Sequence, residues 1–295
     1  MKVKTQKSVT VKSALSRTGG LLRSFSHSLN PYTGCAFGYG CGVYCYVPFL
    51  PVHQHRSEGH AWGDYLWAKE NVADRLRGEL KRHQQLGRLH QLRIFMSSAT
   101  DPYQPAEAKL GLTRACLEAF VDYPPGLLVI QTRSPIVERD FDLISSLGPC
   151  AWLSMTIETD DEQVREAITP GVPRIGRRRA TIEAANRAGI QTQVTISPYL
   201  AIRRPEAFSD WLNQYAQFVI VDTFTSGDGG HGQRTARSPL PRRFAAAGLG
   251  NWRDEMAADD FYRLLIDKLG AGRVGWSEAG FNALPSVASG QLSLL

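Results

Sequence analysis

Acidic residues are missing from the first thirty positions, cysteines are few, and no stretch stays apolar for long. Across the 295 residues there is no run of eighteen apolar side chains, which excludes an ordinary membrane-spanning helix. The basic first 23 residues lack the apolar core of a secretory signal, so the expectation is a cytoplasmic protein without a membrane partner. No internal repeat or low-complexity segment stands out. The chain has five cysteines and three of them cluster, an odd number that argues against disulfides.

What is present begins with charge. Lys2, Lys4, Lys7, Lys12, Arg17 and Arg23 give the first thirty residues a charge of +6, which equals the net charge of the chain. The remainder is formally balanced, so the excess is concentrated in the tail, where it reads equally as a nucleic-acid contact or a solvated terminus. Hydrophobic content of 43% and charged content of 21% are those of a globular protein with a substantial core.

The stretch Asn30–Pro51 carries Cys35, Cys41 and Cys45 within eleven residues, spaced C-x5-C-x3-C. Pro31, Gly34, Gly38, Gly40 and Gly42 interrupt it, so it cannot form a regular helix. Three thiolates on such a loop have three readings. They hold an iron–sulfur cluster with one iron left open, or zinc with a fourth ligand from His27, His53, His55 or His60, or they are separate buried cysteines that pack as small hydrophobes. Cys116, within a helical pattern, and Cys150, before a strand, read as structural.

After the loop, apolar spacing predicts an amphipathic helix over residues 62–86, with Lys69 on its solvated face. Short apolar strands then alternate with helices. Strands are expected at Leu92–Met96, Leu127–Gln131, Trp152–Ile157, Gln191–Ile196, Phe218–Asp222 and Arg273–Trp276. Helices are expected over Pro105–Val121, Arg139–Leu147, Asp160–Ile168, Gly176–Ala188, Pro205–Gln214 and Asp259–Leu269, with residues 224–250 as a long loop. Such alternation implies parallel βαβ units in an α/β fold, a partial (β/α)6-type TIM barrel with its chemistry at the C-terminal strand ends. Three stretches follow: a basic arm over 1–27 with a short strand at Ser8–Val11, the barrel over 28–223 with the cysteine loop at 30–51, and 224–295 completing the same domain.

The expected strand ends are polar. Ser97, Ser98, Thr100 and Asp101 follow the first strand, Arg133 the second, and Ser154, Thr156 and Glu158 share one face of the third. Asp101 before Pro102 also suits a capped turn. Arg133 has the forked geometry that pairs with a carboxylate.

Several of these runs resemble one family. Leu29-Asn30-Pro31-Tyr32-Thr33-Gly34-Cys35 with Val43-Tyr44-Cys45-Tyr46, the run Trp67–Asn71, Thr100-Asp101-Pro102-Tyr103-Gln104-Pro105, Pro170-Gly171-Val172-Pro173 followed by Arg178, and Ser197-Pro198-Tyr199 look like the radical S-adenosylmethionine enzymes of the spore photoproduct lyase-like group. The likeness runs from Leu29 to Tyr199. The group's usual spacing is C-x3-C-x2-C, so the loop here is longer. The resemblance implies a barrel of the radical S-adenosylmethionine kind, a [4Fe–4S] cluster on Cys35, Cys41 and Cys45, and reductive cleavage of S-adenosylmethionine to a 5′-deoxyadenosyl radical. It implies cofactor contacts from Ser97, Ser98, Thr100, Asp101, Arg133, Ser154, Thr156, Glu158 and Arg178, and a radical relay through Tyr46 or Tyr199. An external one-electron reductant and DNA or RNA are the implied partners. The lyases that name the group carry a cysteine near the end of the first strand, where this chain has Ser97 and Ser98. The competing functions are a radical enzyme on another substrate and a non-catalytic, zinc-stabilised nucleic-acid-binding protein.

Overall fold

A computed structural model describes residues 3–284; Met1, Lys2 and residues 285–295 of the expected C-terminal segment lie outside the described residues. The strands are β1 (Thr5–Val9), β2 (Leu15–Arg17), β3 (His27–Leu29), β4 (Tyr32–Gly34), β5 (Tyr65–Lys69), β6 (Arg93–Met96), β7 (Leu127–Thr132), β8 (Ala151–Thr156), β9 (Gln191–Ile196), β10 (Phe218–Val221) and β11 (Val274–Trp276). Eight of them form a sheet in the order β2-β3-β6-β7-β8-β9-β10-β11. Every pairing in it is parallel except β2 with β3.

The register alternates two apolar faces. Leu128 and Ile130 of β7 pack under the helices in the main core, while Leu127 and Val129 face an inner cluster with Phe95, Trp152, Phe218 and Ile220. The period of two along a strand separates these sets. Along the inner face the chemistry then changes. Phe95 leads to Ser97, Val129 to Gln131, Trp152 to Ser154 and Thr156, and Ile220 to Asp222. The sheet is therefore greasy inside at one end and polar at the C-terminal strand tips, as the order of residues within each strand dictates.

The sheet is open among the described residues, with β2 and β11 as its edges. Residues near the two edges meet across the gap. Asn282 Nδ2 donates to the Leu21 carbonyl at 3.1 Å, and Ser24 N donates to Asn282 Oδ1 at 3.0 Å. Leu21 and Leu22 pack on the inner cluster beside Phe281.

A second sheet, β1-β5-β4, corrects the expected helix over 62–86. Tyr65–Lys69 is a strand, pairing parallel with β1 and antiparallel with β4, and the helix begins only at Val72 and ends at Gln85. Tyr65, Leu66, Trp67 and Ala68 are all buried, so this run has no polar alternation to mark it as a strand. Lys69 is thus a strand-end residue and is not on a solvated helix face. The arm's first strand is Thr5–Val9 rather than Ser8–Val11. Part of the arm's charge is matched, since Lys4 pairs with Asp64 at 3.0 Å and Lys7 with Glu58 at 2.6 Å. The helix expected over Pro105–Val121 splits into Glu107–Leu110 and Leu112–Asp122 at Gly111, whose φ of +63° is left-handed. Arg139–Leu147 divides between a 3-10 turn, Pro135–Asp140, and a helix, Phe141–Ser146. Residues 224–250 hold three short helices, Phe224–Gly227, Gln233–Ala236 and Leu240–Ala246.

Candidate active site

At the polar strand tips the cysteine loop roofs a cavity of about 680 Å³. The loop is a chain of single 3-10 turns, Ala36–Tyr39, Cys41–Val43 and Val47–Phe49, as its glycines require. Gly38 is needed for space, because a Cβ there would sit 2.5 Å from Gly63 Cα. The segment after β6 holds the loop down. Thr100 Oγ1 donates to the Gly34 carbonyl at 2.6 Å, Ala36 N donates to Gln104 Oε1 at 2.9 Å, and Tyr46 OH donates to the Ser98 carbonyl at 2.5 Å. Lys69 Nζ donates to the Asn30 carbonyl at 2.6 Å from the other side.

Cys35, Cys41 and Cys45 all line this cavity as free thiols. Burial raises the Cys35 pKa to about 12, with the neighbouring Cys41 adding to it. Burial also raises Cys45, with Cys41 and Cys35 contributing through space, so the three are mutual neighbours. Cys41 is raised by burial and drawn back by Arg133, whose Nη1 lies 2.9 Å from its Sγ. Among the described residues no three His, Cys, Asp or Glu side chains stand close enough to hold a single metal ion. Of the histidines, His53 engages the Tyr65 hydroxyl at 2.8 Å, and His27 lies beside His83. Cys116 and Cys150 are buried in the main core away from the loop.

Ser97, Ser98, Thr100, Asp101, Arg133, Thr156 and Tyr46 line the cavity. Asp101 is fully engaged within the protein. It accepts Tyr103 N at 2.9 Å, Thr132 Oγ1 at 2.7 Å and Arg133 N at 3.0 Å, which locks the tips of β6 and β7 together. Ser97 is held at a φ of +78°, and its buried Oγ has no partner. Glu158 and Arg178 stand behind the wall, buried to 1% and 0% exposure. Arg178 Nη1 donates to Glu158 Oε2 at 2.6 Å, Arg133 Nη2 to Glu158 Oε1 at 3.1 Å, and Tyr44 OH to the same oxygen at 2.8 Å. Ser154 accepts Gln193 Nε2 at 2.7 Å and is not on the cavity wall. Tyr199 is not brought to the cavity either. Its ring packs against Phe261, 6.2 Å between centroids.

Sequence reasoning missed Gln131, Lys69 and Asp222, all on the cavity wall. Burial lowers the Lys69 pKa to about 8, helped by Arg56. Burial raises Asp222 to about 6. The signal for Gln131 and Asp222 was their register, since each follows apolar inner-face residues at i−2 and i−4.

Burial alone would push Glu158 up, yet Arg178 and Arg133 hold it at about 2 against an ordinary 4.5. A folded-state pKa below the unfolded value means stabilisation that is present above about pH 4.5 and lost as pH falls through about 2. The expected size is about 3 kcal/mol. Glu158→Gln should therefore lose about 3 kcal/mol at pH 7, leaving two buried guanidiniums unmatched, and should flatten the acid limb. Urea unfolding at pH 7, 4 and 3 measures both. A variant as stable as the wild type at pH 7 would contradict this account.

No family model matches the chain. An uncharacterized protein of Methanocaldococcus jannaschii is 28% identical over 172 residues, 58% of this chain and 60% of that protein. An uncharacterized protein of Mycobacterium tuberculosis is 27% identical over 197 residues, 65% of this chain and 55% of that protein. The chain thus spans about 60% or less of the length of these relatives. Among solved structures, a cysteine-to-serine variant of spore photoproduct lyase superposes with a TM-score of 0.62 at 15% identity, over 92% of this chain and 81% of that one. A variant of the same lyase with bound AdoMet and dinucleoside spore photoproduct gives a TM-score of 0.61 at 15% identity, with the same coverage. At that identity the likeness establishes a shared mixed α/β fold.

Proposed function

We propose that this chain is a radical S-adenosylmethionine enzyme acting on a nucleotide or nucleic-acid substrate. The observation that carries the reading is the sharing of one cavity, at parallel strand tips, by three thiols and Arg133, which Glu158 holds from behind the wall. The three thiols are neighbours on the wall of one cavity, and three soft thiolates suit an iron–sulfur cluster with one iron left open. Cys35, Cys41 and Cys45 would hold a [4Fe–4S] cluster, and the open sheet is read as a partial barrel over residues 28–223. When bound, the cluster supplies the electron, received from an external reductant, that splits S-adenosylmethionine.

The chain's own residues bind and orient. Arg133 offers a guanidinium to the cofactor's carboxylate, and Glu158, clamped by Arg178, fixes the direction of that fork. Ser97, Ser98, Thr100 and Thr156 give hydroxyls to its polar groups. Ser154 and Asp101 act at one remove, by holding the strand tips. Tyr46, beside Cys45 on the cavity wall, is read as a contact to the reacting end. For Tyr199 a structural role is the better reading, given its packing on Phe261.

The substrate half rests on uncompensated cations. Arg17, Arg56, Lys69 and Arg234 line the cavity, and none of them joins the salt bridges among the described residues. Among the described residues, Lys69 and Arg234 are anchored on carbonyls, of Asn30 and Asp228. Unmatched cations around a concave site attract an anion such as phosphate. Near the end of the first strand, where the lyases that name the resembled group have a cysteine, this chain has Ser97 and Ser98. A serine O–H bond is too strong to replace a thiol as hydrogen-atom donor, so the substrate is read as something other than spore photoproduct.

Anaerobic protein given S-adenosylmethionine and dithionite should release 5′-deoxyadenosine and methionine. Cys35→Ala, Cys41→Ala and Cys45→Ala should each abolish that release, whereas Cys116→Ala should keep it. Full release by Cys41→Ala would sink the assignment. Arg133→Ala should weaken S-adenosylmethionine binding by about ten-fold or more with iron retained; an unchanged dissociation constant would remove Arg133 from the site.

A further inference from the structure

Most carboxylates around the cavity are engaged within the protein. Asp101 is engaged by the tips of β6 and β7. Asp228 accepts backbone N–H groups from Gly230 at 2.7 Å, Gly232 at 3.0 Å and Thr235 at 2.9 Å. Asp222 is different. It lines the cavity at 2% exposure, and its Oδ2 accepts Ser197 Oγ at 3.0 Å; the Ser277 hydroxyl and the Thr223 N–H stand close to the carboxylate, but its buried Oδ1 has no partner in good hydrogen-bond geometry. A buried carboxylate oxygen left without a partner is costly to the fold and calls for an explanation such as a missing ligand donor.

Asp222 is also fixed in place. Its N–H donates to the Ile196 carbonyl at 3.0 Å, and Tyr199 N donates to the Asp222 carbonyl at 2.6 Å. Above the side chain runs Gly227, where a Cβ would lie 1.9 Å from Asp222 Oδ2. Only glycine lets the chain cross there, and the crossing stops the carboxylate from turning away. Two further unpartnered atoms belong to the same inner face. Gln131 Nε2 donates to Thr156 Oγ1 at 2.6 Å and Thr195 Oγ1 at 2.8 Å, which leaves Oε1 free, and Ser97 Oγ is free as well. Elsewhere on the wall the unpartnered atoms are donors, Arg133 Nε and Trp62 Nε1, but on this face Gln131 Oε1 and Asp222 Oδ1 are acceptors, so the complement of this face is a ligand edge that brings N–H or O–H donors. Phe95 and Phe281 line the same cavity and can lie against a flat ring.

We infer that Asp222 is a substrate-recognition residue, accepting a hydrogen bond from an N–H at the edge of a nucleobase whose phosphate is drawn to Arg17, Arg56, Lys69 and Arg234. This rests on the nucleotide reading above. The residues read as S-adenosylmethionine contacts lie at the tips of β6, β7 and β8. Asp222 follows β10, two strands beyond β8 and so roughly 10 Å away. A site built to accept from a donor rejects the analogue that lacks it, because the acceptor then stays buried and unpaired.

The test is equilibrium binding of four probes to the full chain: dTMP, N3-methyl-dTMP, dAMP and N6,N6-dimethyl-dAMP. Wild type should bind dTMP or dAMP about ten-fold or more tightly than its methylated partner. In Asp222→Ala that ratio should collapse toward one, with S-adenosylmethionine affinity unchanged. Asp222→Asn keeps the size of the side chain and guards against misfolding of the alanine variant. Its ratio should fall part way, since a charge-assisted bond becomes a neutral one. The inference is overturned if wild type fails to discriminate within either pair, if both variants keep the wild-type ratio, or if S-adenosylmethionine binding falls along with nucleotide binding. Failure of wild type to bind iron and S-adenosylmethionine would instead overturn the enzyme reading, whatever the nucleotides do.

Discussion

Behind the cavity wall a single carboxylate, Glu158, sits between two guanidiniums. Arg178 reaches it from the helix Ile175–Arg187, and Arg133 reaches it from the end of β7. Tyr44, inside the cysteine loop, donates to it as well. Through Arg133 the same carboxylate orients the group that touches Cys41. The sheet, the helical layer and the loop therefore meet at one ionised oxygen pair. Burying that charge is costly unless it is matched, and here the match is with parts that must keep their relative positions for any chemistry at the thiols. The ion pair is better understood as a device for register than as a source of net stability.

The cavity itself is a consequence of where each strand changes character. β7 runs from leucine and valine to glutamine, β8 from tryptophan to serine and threonine, and β10 from phenylalanine and isoleucine into aspartate. The hydrogen-bonded register sets Gln131 level with Ser154 and Gln193, whereas β10 is still apolar there, at Phe218, and turns polar only beyond its end at Asp222. The apolar half closes the lower interior, and the polar half is left to the loop and to ligands. The segment Thr100–Pro105 then acts as a peg. Its hydroxyl and amide groups hold the cysteine loop by its backbone, while Phe37, Val43 and Tyr44 pack the loop into an apolar cluster with Ile168, Leu200 and Phe224.

Much of this was legible in the residues. The strands of the large sheet from β6 onward were marked by short Val-, Ile- and Leu-rich runs, and the cysteine loop by its glycines. The small sheet was not legible, because Tyr65–Lys69 is buried on both sides and its apolar residues merge with the pattern of the helix that follows. Residues 224–250 read as a loop for a related reason. Helices of four to seven residues are too short to show a period, and glycines surround them. Lys69 carried no local mark and becomes a cavity residue only through the pairing of β5 with β4. Asp222 was marked only by its register after Phe218 and Ile220 of β10.

The central claim is that three thiols hold an iron–sulfur cluster at the head of this cavity. Metal analysis and the visible spectrum of anaerobically purified protein address it directly. The account predicts a brown protein with about four irons per chain. Colourless protein carrying one zinc per chain would contradict it, and would point instead to a metal-stabilised nucleic-acid-binding module.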